Sequence, residues 1–104
     1  MSDFFVIAEE ELVLAFRMVG IAGASAAGRD EALAAFQSAT SAEEGRPRIL
    51  ILTEEVADLL AAEARAWQLS GEYPLIVEIP SQGERRPGRK GLVDAIREAI
   101  GVSV

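Results

Sequence analysis

The strongest constraint in this chain is a fourfold alternation between short runs of strand-forming residues and stretches with helical periodicity. Phe4-Phe5-Val6-Ile7-Ala8 is a compact apolar run suited to a strand. Glu9, Glu10 and Glu11 follow, and acids complement the dipole at a helix start. Leu12, Val13, Phe16 and Val19 then recur at helical spacing, and Gly20 suits a left-handed C-terminal cap. Residues 21–25 form a second, weak strand, diluted by Ala and Gly. Such low bulk belongs at a sheet edge or where backbone packs closely. Residues 29–40 read as a helix with Ala32, Leu33, Phe36 and Thr40 on one face, and residues 41–47 as a polar loop.

Arg48-Ile49-Leu50-Ile51-Leu52 is the clearest strand. It is apolar on both faces, as expected of a central strand covered by helices on each side. Thr53 offers a hydroxyl N-cap to a helix that begins with Glu54 and Glu55. The stripe Val56, Leu59, Leu60, Ala64, Trp67 predicts one continuous helix, ended by Gly71 and Pro74, with Trp67 as a core or helix-face anchor. Leu75-Ile76-Val77-Glu78-Ile79 is the fourth strand, with Glu78 turned to polar groups or solvent. A last helix is expected over residues 91–100, with Leu92, Val93, Ile96 and Ile100 on one face.

The order β-α-β-α-β-α-β-α implies a parallel sheet between helices, joined by right-handed crossovers. The expectation is a single α/β domain, flavodoxin-like or Rossmann-like. Its four-stranded parallel sheet has the order 2-1-3-4, which puts the two most apolar strands in the middle. Residues 1–80 form the α/β body. Residues 81–104 form a basic loop and a loop-tethered C-terminal helix of the same domain.

Composition removes most chemistry. The 104 residues suffice for one domain with its own core. There is no cysteine and no histidine. Disulfides, thiolate metal sites, cysteine nucleophiles and Ser-His-Asp triads are therefore excluded. The net charge of −7 argues against nucleic acid as a partner. No apolar run approaches the roughly 20 residues of a membrane span, so no direct membrane insertion is expected. The start Met-Ser-Asp-Phe-Phe lacks the positive charge of a signal peptide, which with the missing cysteines fits a cytoplasmic location.

The strand ends, where such folds bind ligands, carry Glu9, Glu10, Glu54 and Glu55 and no glycine-rich phosphate loop. No cofactor is expected. A divalent-metal cluster of those four acids is conceivable, but acids at helix starts account for them. A degenerate phospho-receiver or other stand-alone regulatory α/β domain is the alternative reading. Against a receiver, the phospho-acceptor position after the third strand holds Thr53, and the only lysine is Lys90, in a later loop.

Charge is divided along the chain. Residues 1–84 hold fifteen acidic and five basic residues, a sum of −10, while residues 85–104 hold two and five, a sum of +3. Arg85, Arg86, Arg89 and Lys90 form the basic cluster. It is either a solvated connector or a mobile element that docks on an acidic surface.

Three segments carry a family resemblance: Ala15-Phe16-Arg17-Met18-Val19-Gly20-Ile21, Ile51-Leu52-Thr53-Glu54-Glu55-Val56-Ala57 and Pro74-Leu75-Ile76-Val77-Glu78-Ile79-Pro80-Ser81. In order and spacing they resemble the F subunit of the V-type/A-type ATPase family, with Ala15 in place of the usual Gly and Met18-Val19 in place of Leu-Ala. The resemblance covers essentially the whole chain. It implies a non-catalytic central-stalk subunit that binds the coiled-coil D subunit, with a C-terminal helix directed toward the A and B subunits of the head. It also implies a location peripheral to the membrane, within a membrane-bound complex. Arg17 and Met18 lie off the core stripe of their helix and within the family motif, which makes them candidate partner-binding residues beside the 85–90 cluster.

Overall fold

Each strand-forming run pairs in parallel with its neighbours. The computed structural model describes residues 3–41 and 45–81. Its elements are β1 (Phe4–Ala8), α1 (Glu10–Met18), β2 (Ala22–Ser25), α2 (Arg29–Ser41), β3 (Ile49–Thr53), α3 (Glu54–Leu59), α4 (Ala61–Ser70) and β4 (Leu75–Ile79). They form a four-stranded parallel sheet in the order β2-β1-β3-β4. That is the expected α/β architecture, with the expected strand order. The expected C-terminal helix lies outside the described residues.

Alternation along the central strands sends side chains to two cores. On one side of the sheet Ile7, Leu50 and Leu52 pack with Ala32, Phe36 and Ala39 of α2, and with Val56, Ala57 and Leu60 beyond β3. On the other side Val6, Ala8 and Ile51 meet Val13, with Leu12 and Phe16 of α1 packed against them. So α1 covers one face, while α2, α3 and α4 cover the other. The pairings Val6↔Ile51 and Ile51↔Val77 keep each row of side chains on one face across β1, β3 and β4.

The weak second strand is an edge strand, and its low bulk has a steric cause. A Cβ on Gly23 would lie 2.4 Å from Val6 Cγ1 and 2.6 Å from the Val6 carbonyl oxygen. The bare backbone lets β2 sit tightly against β1 beneath Val13.

The expected helix over residues 54–70 is two helices. They meet at Leu60, whose backbone (φ −112°, ψ 27°) leaves the helical region while its side chain stays fully buried. A stripe with a 3.6-residue period cannot register a break at one residue that keeps its place in the stripe. The carbonyl of Leu59, at the end of α3, accepts a hydrogen bond from Arg29 Nη1 at 2.7 Å, and the same guanidinium pairs with Glu63. Arg29 thus ties the start of α2 to the α3–α4 junction.

This pair gives stability a pH dependence. The hydrogen bond from Arg29 is the main reason the Glu63 carboxyl titrates below the ordinary glutamate value of 4.5, and a backbone hydrogen bond adds to it. A carboxylate with a depressed folded value stabilises the fold above its unfolded value and loses that contribution as pH falls through the folded one. Glu63→Gln should therefore lower the urea midpoint at neutral pH. The gap from the parent chain should close in strong acid, and salt should shrink it at neutral pH because the pair faces water. Urea titrations across that pH range check it.

Candidate interaction surface

The first family-like segment divides into residues that build a turn and residues that do not. The backbone N–H of Ile21 donates to the Phe16 carbonyl at 3.0 Å, and that of Gly20 donates to the Arg17 carbonyl at 3.0 Å. This is the paired bonding of a Schellman cap, with Gly20 at φ 89° in the left-handed position it requires. Phe16 and Ile21 pack together on the core under α1. Phe16, Gly20 and Ile21 thus account for the helix-to-strand turn.

Arg17 and Met18 have no such task. Both stand in the last turn of α1, pointing outward, and Met18 is 81% exposed. The Arg17 side chain makes no ion pair among the described residues, and it lines a shallow depression with Glu10, Val13, Leu14 and Ser25. Leu14, at 56% exposure, precedes Met18 by one helical turn on the same outward face. The sequence reading passed over Leu14; its signal is its place off the stripe Leu12, Val13, Phe16. Val19, expected on the core face, is the helix C-cap and is 74% exposed, because α1 ends one residue before it. Leu14, Met18 and Val19 with Arg17 make an apolar patch with one cation, a composition enriched at protein interfaces.

The second and third family-like segments meet at the C-terminal end of the sheet. Thr53 Oγ1 accepts from the Val56 N–H at 3.3 Å, capping α3. Ser81 Oγ accepts from the Glu55 N–H at 3.0 Å, and the Ser81 N–H donates to Glu54 Oε1 at 3.4 Å. Two free donors of the first turn of α3 are therefore satisfied, one by Thr53 and one by a residue beyond β4. The effect is to pin the chain where it leaves the sheet, at the root of the segment 82–104. Arg85, Arg86, Arg89 and Lys90 lie outside the described residues.

The cleft at the strand ends is small and acidic. It measures about 210 Å³ and is lined by Glu9, Thr53, Glu55, Val56, Leu59 and Ser81, with Ala26 and Ala27. Small-molecule sites usually run from about 300 to 1,000 Å³ with convergent polar groups. Among the described residues no three acidic side chains stand close enough together to hold a metal ion. Also among them, no helix is long and apolar enough to cross a membrane.

Trp67 is an internal anchor. Its Nε1–H donates to the Pro74 carbonyl at 2.8 Å and its ring meets Phe36 edge-to-face, with centroids 6.4 Å apart. The Arg46 guanidinium lies 5.7 Å from the ring centroid.

Sheet order and helices on both faces define a small Rossmann-like α/β domain. A family model described as ATP synthase (F/14-kDa) subunit matches residues 4–100. The chain belongs to this family, the F subunits of V/A-type ATP synthases. It is accordingly a component of a rotary ATP synthase complex. No curated protein matches the chain.

Proposed function

We propose that this chain is a non-catalytic subunit of the central rotor shaft, bound to the coiled-coil D subunit and modulating ATP turnover in the head. The observation that carries this reading is the family match over residues 4–100, which takes in nearly the whole chain. The absence of cysteine and histidine from the sequence supports a role without catalysis. The body, residues 1–80, holds the shaft through a fixed surface that includes Arg17 and Met18. Residues 81–104, with the C-terminal helix expected from the sequence, are the part that reaches the A and B subunits. The complex keeps the subunit on the cytoplasmic side, peripheral to the membrane.

Modulation requires the segment from Arg85 to Ile100 to have two positions that rotor states bind with different affinity. Its basic cluster docks on acidic surface in one of them. Neutralising Arg85, Arg86 and Arg89 to Gln should change ATPase stimulation by the assembled subunit and leave its melting curve in place. Unchanged stimulation with normal assembly would refute the two-position account.

The body surface has its own test. Arg17→Glu with Met18→Asp should weaken binding to the D subunit at least ~10-fold, the loss of about 1.4 kcal/mol expected when an interface anchor goes. Both side chains are exposed, so the cost to the free chain is confined to placing two acids in the last turn of α1 against the helix dipole, about 1 kcal/mol, and the chain should stay folded. Isothermal titration and a urea melt measure the two quantities.

A further inference from the structure

The chain holds two sulfur atoms, those of Met1 and Met18, and no cysteine. A peroxide therefore meets no thiol here, and the two thioethers are the groups most open to it. The single tryptophan, Trp67, is part-buried, with its indole N–H held by the Pro74 carbonyl.

Met18 stands where oxidation has consequences. At 81% it is the most exposed large apolar side chain among the described residues. It ends α1 one turn after Leu14, and the C-cap Val19 follows it. Its thioether thus belongs to the outward apolar patch and to neither core.

We propose that Met18 is a modification site: oxidation to the sulfoxide by a peroxide withdraws this surface from the D subunit. The proposal rests on the placement of the shaft-binding surface at Arg17 and Met18.

The chemistry needs one co-reactant, hydrogen peroxide. The thioether sulfur attacks a peroxide oxygen, forming an S–O bond as the O–O bond breaks. The hydroxide released takes the proton of the new S–OH group and leaves as water. Sulfur is oxidised by two electrons, and the peroxide is reduced.

The effect on binding follows from polarity. A flexible thioether packs into an apolar interface at little cost. A sulfoxide is strongly polar, and taking it out of water without a hydrogen bond costs affinity. Leu14 and Val19 have no side-chain donor to offer it. Arg17 precedes it by one position, and successive helical positions do not face each other. The shaft covers the thioether once bound, so oxidation acts on the chain before assembly. The fold is untouched, because Met18 packs into neither core.

The test starts from the full-length chain alone. It is treated with hydrogen peroxide at neutral pH, the excess is destroyed with catalase, and peptide mass mapping locates the added oxygen. Met18 should gain one oxygen atom at a rate close to that of a free methionine amide. Calorimetric titration with untreated D subunit should then show binding at least ~10-fold weaker, with an unchanged circular dichroism spectrum. Met18→Leu keeps the apolar volume, so it should bind like the parent and ignore peroxide. Oxidation of Met1 is common to both chains and cancels in that comparison.

Met18 that resists peroxide in the free chain would overturn the proposal. So would peroxide that weakens Met18→Leu as much as the parent, which would assign the effect to another residue. An oxidised chain that binds as before would also overturn it, and the Arg17→Glu/Met18→Asp chain then locates the fault. If that chain binds weakly, the oxidation step alone is wrong. If it too binds as before, the shaft-binding surface is misplaced and the reading beneath the proposal fails with it.

Discussion

Replacing Trp67 with Ala should cost about 3 kcal/mol, toward the lower end for deletion of a large aromatic side chain because the ring is only part-buried. Three attachments go at once. The Phe36 ring loses its edge-to-face neighbour. The Pro74 carbonyl loses its donor. The Arg46 guanidinium, which also bonds to the Tyr73 carbonyl and pairs with Glu72, loses the ring beneath it. These contacts hold α4 to α2 and to the turn into β4, so the loss falls on the C-terminal half of the sheet. In a domain of this size the melting temperature should fall by on the order of 15 °C. Trp67→Phe separates the components. It keeps an aromatic ring but leaves the buried end of the Pro74 peptide without its donor, and should cost about 1 kcal/mol. Equal losses in the two variants would mean that the hydrogen bond, rather than the ring, dominates.

The second large effect is one of sign. Alanine in place of a strand glycine ordinarily stabilises by about 0.5–1 kcal/mol, because glycine loses more freedom on folding. At Gly23 the structure requires the opposite. The added Cβ would lie 2.6 Å from the Val6 carbonyl oxygen, and a backbone atom in a paired strand cannot rotate away. It would also press on Val13 Cγ1 at 3.3 Å, so α1 has to lift from the sheet. Gly23→Ala should destabilise by about 1–3 kcal/mol, the usual cost of overpacking, and Gly23→Val by more. Urea unfolding of the two variants decides it; a stabilised Gly23→Ala would show that β2 has room to move.

Most of the architecture could be read from residue pattern because its determinants are local. The apolar runs at 4–8, 49–52 and 75–79 differ sharply from the helical stripes between them, and the two richest runs went to the middle of the sheet. Gly20 and the poor second strand were legible for the same reason: each answers to a constraint within a few residues. The break at Leu60 was not. It is stabilised by Arg29, which bonds to the carbonyl of Leu59 across 30 residues of chain and had only a helix-start role in the pattern. The tie between Ser81 and the start of α3 was hidden in the same way, since its two ends lie 26 and 27 residues apart.

The candidate surface was partly legible. Arg17 and Met18 stood off the core stripe and the structure turns both outward, whereas Leu14 on the same face passed unnoticed. Which side chains of β4 lie on the α1 side needed the register itself, because alternation along a strand does not say which of its two faces meets which helix.

These surfaces have consequences only within an assembly, so the central claim is the partner. The most direct measurement is co-expression with the D subunit from the same source, followed by size-exclusion chromatography with mass determination. A stable one-to-one complex is expected, reduced or lost with Arg17→Glu and Met18→Asp. A folded 11.1 kDa monomer that elutes apart from the D subunit would contradict the account and favour a free-standing regulatory domain.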